Sequence, residues 1–441
     1  MIANREALAD SPAHRTALHC VEAGIRAAVP DRVVRERLAL DGDHLRVGDA
    51  TYDLTAFEGV VLVGGGKAAA GVAAAVEDLL GDRLTGGVVV TNDPAPTERV
   101  AVVEASHPVP DAAGVDGAER VRETVADADA GTLVLAAITG GASALLPAPA
   151  DGIELDDLRA VTDALLDSGA TIDEINAVRK HCSALKGGLL ARAAAPATVV
   201  GLLFSDVVGD DLAVIGSGPT APDPSTFADA LAVLDDYGID APEAVRGRLE
   251  RGASGELAET PTADDSCFDR VTNHVLANAW TALDAAREAA AEAGFRTLVL
   301  SSRIKGEARE AARTQAAVAE EIAATGNPVE PPAVVLSGGE TTVTVEGDGR
   351  GGPNAEFALS AARSLPATAV LASVDTDGED GASEAAGALV DGDTVEDRRA
   401  AAAALRANDA AGYLADRDAL IETGRTGTNV NDLRALVVTK T

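Results

Sequence analysis

Aromatic side chains make up only 2% of the 441 residues, which argues against a surface of stacking platforms for nucleic-acid bases. Cysteine is nearly absent. Cys20, Cys182 and Cys267 are far apart and odd in number, so they build neither a disulfide framework nor a CxxC metal knuckle. Positive charge is scarce. Asp plus Glu number 71 against 36 Lys plus Arg, a formal net charge of −35, and such a surface repels nucleic acid and anionic lipid. Only five residues are lysine (Lys67, Lys180, Lys186, Lys305 and Lys440). An acidic, lysine-poor, alanine-rich chain is expected of a salt-loving cytoplasm, where molar salt screens self-repulsion. No long apolar run is present. The N-terminus has no apolar signal core, and the uncharged stretch 131–150 is broken by Gly140, Gly141, Pro147 and Pro149, so neither export nor a membrane span is expected.

What is present is alternation. Short apolar runs, VVLVG (60–64), VVVTN (88–92), VAVVEA (100–105), TLVLAAI (132–138) and TVVGLLFS (198–205), alternate with alanine-rich stretches of helical character. Near-continuous apolar strands between helices predict a Rossmann-like α/β domain with a mostly parallel sheet covered on both faces. The polar stretch 251–266 marks the expected boundary between residues 1–265 and 266–441. Beyond it, TLVLSS (297–302), AVVLSG (333–338), TTVTVE (341–346), AVLASVDTDG (369–378) and ALVDG (388–392) predict a second α/β domain, with residues 337–362 reading as a hairpin, a glycine-rich loop and a helix.

The loops between these elements carry the chemistry. VLVGGGKAAAG (61–71) runs from a strand through Gly64, Gly65 and Gly66 to Lys67 and a helix. Glycines let backbone amides approach an anion, and a helix N-terminus favours one. The spacing Gly64-x-Gly66-x-x-Ala69 also meets a relaxed dinucleotide fingerprint, whereas a Walker A loop is absent. Gly140, Gly141 and Ser143 follow the next strand, where open α/β sheets bind ligands, and they read as donors to a phosphate or carboxylate. Arg179, Lys180, His181 and Lys186 form a positive island on a predicted helix in an acidic chain. Asp206, Asp210 and Asp211 follow a strand end beside glycines, the hard oxygen donors that a magnesium–phosphate site requires.

In the second domain Arg350 sits among Gly349, Gly351 and Gly352, placed to clamp a carboxylate or stabilise a transferring phosphoryl group. Asn354 and Glu356 open the following helix. Asp375, Asp377 and Asp380 mark another strand end, and Thr426, Thr428 and Asn429 lie in a further glycine-bearing loop. The spacing after Asp375 does not make an EF-hand, and the six histidines have no metal-ligand spacing.

At these residues the sequence resembles the glycerate 2-kinase family, the two-domain class with a MOFRL C-terminal domain. The matching segments are GGGKAA (64–69), SHPVPDAAG (106–114), GGASALLPAP (140–149), NAVRKHCSALKGG (176–188), SDVVGDDLAVIGSGPTAPDPST (205–226), SGGETTVTV (337–345), GRGGPNAEFAL (349–359), TDGEDG (376–381) and TGTNVNDL (426–433). Ala142, Pro353, Ala355 and Arg425 depart from the usual pattern. The resemblance implies phosphorylation of D-glycerate at its 2-hydroxyl, dependent on ATP and Mg2+, in the cleft between the domains. It carries over Lys67, Asp206, Arg350 and Asp377 as the catalytic set, with Asp206 and Asp210 as metal ligands. Gly64, Gly65, Gly66, Gly140, Gly141, Ser143, Arg179, Lys180, Lys186, Asn354, Glu356, Thr428 and Asn429 are expected at the substrate or nucleotide. A cytoplasmic protein, monomer or homodimer, with no nucleic-acid or membrane partner is expected. A rival reading is an NAD(P)-dependent hydroxypyruvate reductase that uses residues 64–69 with Asp93 as ribose ligand; a non-enzymatic small-molecule sensor is a third.

Overall fold

A computed structural model describes residues 1–440. The chain divides into two compact units: Val33–Leu276, and Met1–Arg32 joined with the chain from Ala277 onward. The sequence boundary expected between residues 265 and 266 therefore moves to 276/277, and the first 32 residues leave the N-terminal unit. Packing explains the transfer. Helix Pro12–Ala27 lies against helix Ala279–Glu292, His14 pairs with Asp391 at 3.4 Å, and Thr428 Oγ1 donates to the Ala28 carbonyl at 2.6 Å.

The unit Val33–Leu276 opens with a small antiparallel sheet, β1 (Leu38–Asp41), β2 (His44–Val47) and β3 (Ala50–Asp53), which the short alternating segments of the sequence did not reveal. Its main sheet is built from β4 (Gly59–Gly65), β5 (Gly86–Thr91), β6 (Val100–Glu104), β7 (Thr132–Ile138), β8 (Thr198–Phe204) and β9 (Val271–Ala277). The spatial order is β6-β5-β4-β7-β8-β9. Strands β6, β5, β4, β7 and β8 are mutually parallel, as their unbroken apolar character predicts. This is the doubly wound order 3-2-1-4-5-6, and it reverses between β4 and β7. Helices Ala69–Leu80 and Ala112–Ala126 pack on the sheet. Helices Leu155–Asp167, Ile172–His181, Phe227–Asp236 and Glu243–Ala253 share a second core around Leu165, Val178, Leu234 and Leu249. Capping boxes start the second and third of these, Thr171 with Glu174 and Thr226 with Asp229, each satisfying otherwise orphaned amides.

The other unit holds β10 (Arg296–Glu307), β11 (Ala333–Thr342), β12 (Ala369–Asp375), β13 (Gly387–Asp391), β14 (Leu420–Ile421) and β15 (Asp432–Val438), in the order β10-β11-β15-β12-β13-β14. Only β10 and β11 pair in parallel; the remaining pairs are antiparallel. The hairpin expected after residue 337 does not form. Residues 333–342 run as one strand, and β11 takes β10 and β15 as its neighbours. No helix among the described residues is long and apolar enough to cross a membrane.

Candidate active site

Ligands of a doubly wound sheet bind beyond the carboxyl ends of its strands, where the strand order reverses. Here that point lies between β4 and β7, and the loops leaving it are Gly66–Ala68 and Thr139–Ser143. They are tied to each other. The Lys67 amide donates to the Gly140 carbonyl at 2.8 Å, the Thr139 amide to the Gly65 carbonyl at 3.1 Å, and the Ala68 amide to Thr139 Oγ1 at 3.1 Å. From β5, Thr91 Oγ1 donates to the Lys67 carbonyl at 3.1 Å. Three strand ends therefore hold the backbone of Lys67, whose side chain is half-buried.

The glycines serve this packing. A Cβ on Gly64 would lie 1.9 Å from the Ala137 carbonyl oxygen, and one on Gly66 2.2 Å from Thr139 Oγ1. The amides of Gly66, Lys67 and Ala68 are spent on Val90, Gly140 and Thr139, so the expected phosphate cradle at Gly64–Gly66 is already filled by protein. That also removes the donors a pyrophosphate would need for the dinucleotide reading. The second loop is different. Gly140 is buried and Gly141 is half-buried, and no described residue accepts a hydrogen bond from either amide. Gly141 has φ +81°, and a Cβ there would sit 3.0 Å from the His107 ring and 3.3 Å from Lys67 Cγ. Lys67 and His107 thus flank one glycine. His107 stands three residues past β6, the position from which a strand-end loop reaches a ligand, and the sequence reading gave it no role.

Around this point a largely buried polar chain continues. Ser143 Oγ and Ser217 Oγ share a 2.8 Å hydrogen bond, and Ser217 Oγ donates to Asn176 Oδ1 at 3.0 Å. Ser217 has φ +63°, a left-handed backbone that costs a non-glycine residue about 1 kcal/mol or more. Asp206 stands two residues past β8 and is half-buried; Asp210, at φ +58°, lies on the same loop. Among the described residues no group of three or more His, Cys, Asp or Glu side chains is arranged to hold a metal ion.

The positive island separates into unlike members. Lys180 Nζ donates to Asp223 Oδ1 at 3.0 Å, both side chains buried. Burial alone would raise the Asp223 carboxyl, but Lys180 and Ser225 outweigh it and hold it below the usual range. Lys180, expected at a ligand, is instead spent on this pair. Lys186 is buried, and its Nζ donates to the Leu146 carbonyl at 2.6 Å. Burial, with Arg179 adding to it, pushes its amine down to about 7. From about pH 7 up to the ordinary lysine range the unfolded chain holds a proton that the folded chain has released, so stability rises with pH there. Lys186→Met should accordingly raise the stability at pH 6, by on the order of a few kcal/mol less about 1 kcal/mol for the Leu146 carbonyl left without its donor. The gain should shrink toward pH 10 in thermal melts; a gain independent of pH would contradict the assignment. Burial pushes the Cys20 and Cys182 thiols up to about 12, so neither is a nucleophile near neutral pH.

In the other unit the predicted residues divide in the same way. Arg350 is exposed on loop 343–352; its amide donates to Asp409 Oδ1 at 3.1 Å, and its carbonyl accepts from the Ala411 amide at 3.0 Å. Asp377 is nearly buried and accepts from the Glu379 amide at 2.9 Å, while its carbonyl accepts from Thr426 at 3.1 Å. Asp380 joins these two loops. Its carboxylate accepts from the Asn354 and Ala355 amides at 2.8 and 2.7 Å, capping helix Pro353–Ala362. Burial pushes this carboxyl up to about 7, Asp432 adding to the rise and the amide bonds opposing it.

Three residues expected at a ligand in this unit are used inside it. The Asn354 side chain bridges Asp432 and Ser373, Glu356 accepts from Arg309 Nε at 2.7 Å, and Thr428 holds Ala28. Each is buried, so its polar atoms were satisfied by neighbours that the folding supplied. Asn429 Oδ1 accepts from the Asn431 amide at 3.1 Å and stays half-buried.

Residues 16–250 match the model of a domain of unknown function, DUF4147, and residues 333–432 match the MOFRL family. A glycerate 2-kinase of Pyrococcus horikoshii is 40% identical, with 96% of each chain covered. A putative hydroxypyruvate reductase of Agrobacterium vitis is 45% identical over 86% of this chain and 87% of its own. The crystal structure of a glycerate kinase from Thermotoga maritima superposes with a TM-score of 0.83 at 39% identity, covering 96% of this chain and 99% of that one. Fold, strand-end loops and relatives agree, and the chain belongs to the glycerate 2-kinase family.

Proposed function

We propose that this protein transfers the γ-phosphoryl group of ATP to the 2-hydroxyl of D-glycerate, giving 2-phosphoglycerate. The observation that carries this reading is the switch point of the parallel sheet, where Lys67 and His107 flank Gly141 beside two amides that no protein group occupies. Such fixed donors suit the charge spread over a transferring phosphoryl group. Lys67 stabilises that charge. Arg350 neutralises the phosphoryl group or the substrate carboxylate, and Asp377 orients or deprotonates the attacking hydroxyl.

Asp206 and Asp210 offer the hard oxygen donors that magnesium takes. Magnesium keeps several waters and is commonly held by one or two carboxylates plus the substrate phosphates, so this donor set suits it without a protein cage. Asp206 and Asp210 would hold the ion, and it would supply positive charge that neutralises the phosphates of ATP.

The reductase name of the Agrobacterium relative defines the rival. Purified protein should release ADP from ATP only with D-glycerate and magnesium present, and should leave NADH untouched with hydroxypyruvate; NADH oxidation without ADP release would reverse the reading. We place the protein in a salt-rich cytoplasm, as a monomer or homodimer without nucleic-acid or membrane partners. With a net charge of −35 and a Debye length of about 30 Å at 0.01 M salt against about 3 Å at 1 M, thermal stability should climb steeply from dilute buffer to molar KCl. Equal melting temperatures in both would refute the halophilic part.

A further inference from the structure

Arg179 stands apart in this molecule. It is half-buried on helix Ile172–His181, yet its side chain forms no ion pair and no hydrogen bond with any described residue. Its neighbours in the chain are all engaged: Lys180 with Asp223, His181 with Glu259, and Lys186 with the Leu146 carbonyl. Acidic residues outnumber basic ones about two to one, so carboxylates are the most abundant partners available. A guanidinium remains charged even when partly desolvated, and burying it without a counter-charge is unfavourable. Burial lowers its proton affinity, and the second cation nearby, Lys186, opposes it rather than relieving it.

Its surroundings connect to the switch point. Asn176, one helical turn earlier, accepts from Ser217, which shares a hydrogen bond with Ser143 on the loop after β7. Lys186 donates to Leu146 on the same loop.

We propose that Arg179 is the receptor for the carboxylate of the hydroxy-acid substrate, binding its two oxygens through the guanidinium fork. This rests on the glycerate kinase reading. A planar anion of one charge matches one guanidinium in geometry and charge. The triphosphate, with several charges, would need more cation than Arg179 and a Lys186 already committed to the Leu146 carbonyl provide.

The test is calorimetric binding of D-glycerate to the full-length wild type, Arg179→Gln and Arg179→Lys, beside steady-state kinetics and circular dichroism. Arg179→Gln should weaken glycerate binding and raise its KM about tenfold to a hundredfold, with the KM for ATP changing less than about twofold. Glyceramide, which lacks the carboxylate charge, should be used equally by wild type and variant. Arg179→Lys keeps the charge but loses the fork; it should fall between the two and serves alone if the glutamine variant does not fold. A raised KM for ATP with unchanged glycerate binding would overturn the proposal, as would variants that bind glycerate like the wild type. Absence of ATP-dependent turnover in the wild type would refute the kinase reading separately, because the binding arm still reports on Arg179.

Discussion

Lys67→Ala should lower kcat by about 10²–10³, a loss of about 3–4 kcal/mol of transition-state stabilisation, while the protein keeps its fold. The fold should survive because the backbone of Lys67 is tied independently of its side chain: its amide bonds Gly140 and its carbonyl accepts from Thr91. An alanine keeps both bonds. The activity should not survive, because a donor fixed by three strand ends needs little reorganisation when charge develops on the phosphoryl group. KM for glycerate should move less than kcat, as expected for an interaction made chiefly in the transition state. Steady-state kinetics with a circular dichroism control checks this, and near-normal turnover would remove Lys67 from the mechanism.

The second large effect concerns Arg350 and Asp377. ATP and glycerate are both anions and the protein itself carries −35, so cationic groups are needed to gather the reactants. Arg350 presents an exposed side chain from a loop whose backbone is pinned to Asp409 and Ala411. Arg350→Lys should lower kcat/KM at least tenfold, because a point charge does not replace a planar fork. Asp377→Asn retains an oxygen that can accept from Glu379, so the turn should persist. Lost basicity and charge should instead depress kcat, by about 10²–10⁴ if the carboxylate takes the hydroxyl proton. Wild-type kcat/KM in both variants would take these loops out of the reaction.

Much of this was legible in the sequence, for a physical reason. Strands buried on both faces write themselves as unbroken apolar runs, and the loops at their carboxyl ends need glycine and carry polar residues, so β4, β5, β7 and β8 and their loops were found. The strand order was not legible, since hydrogen-bonded neighbours such as β4 and β7 are separated by two intervening strands. Nor was the destination of the first 32 residues, whose partners lie in the last third of the chain or just before it: Thr428 and Ala28 are separated by 400 residues.

The same distance explains the reassigned site residues. Residue type announces that Lys180, Glu356 and Asn354 can bind an anion, a cation or an amide. Whether that capacity remains for a ligand depends on Asp223, Arg309 and Asp432, which lie 43, 47 and 78 residues away. Arg179 is the complementary case, a cation whose type was visible in the sequence but whose lack of a partner emerges only from the fold.

Phosphorus NMR of the product tests the central claim most directly. Incubated with ATP, magnesium and D-glycerate, the protein should produce a single new phosphomonoester, that of 2-phosphoglycerate, growing in step with ADP. A phosphoester at the 3-position, or ADP formed with inorganic phosphate and no ester, would contradict the account.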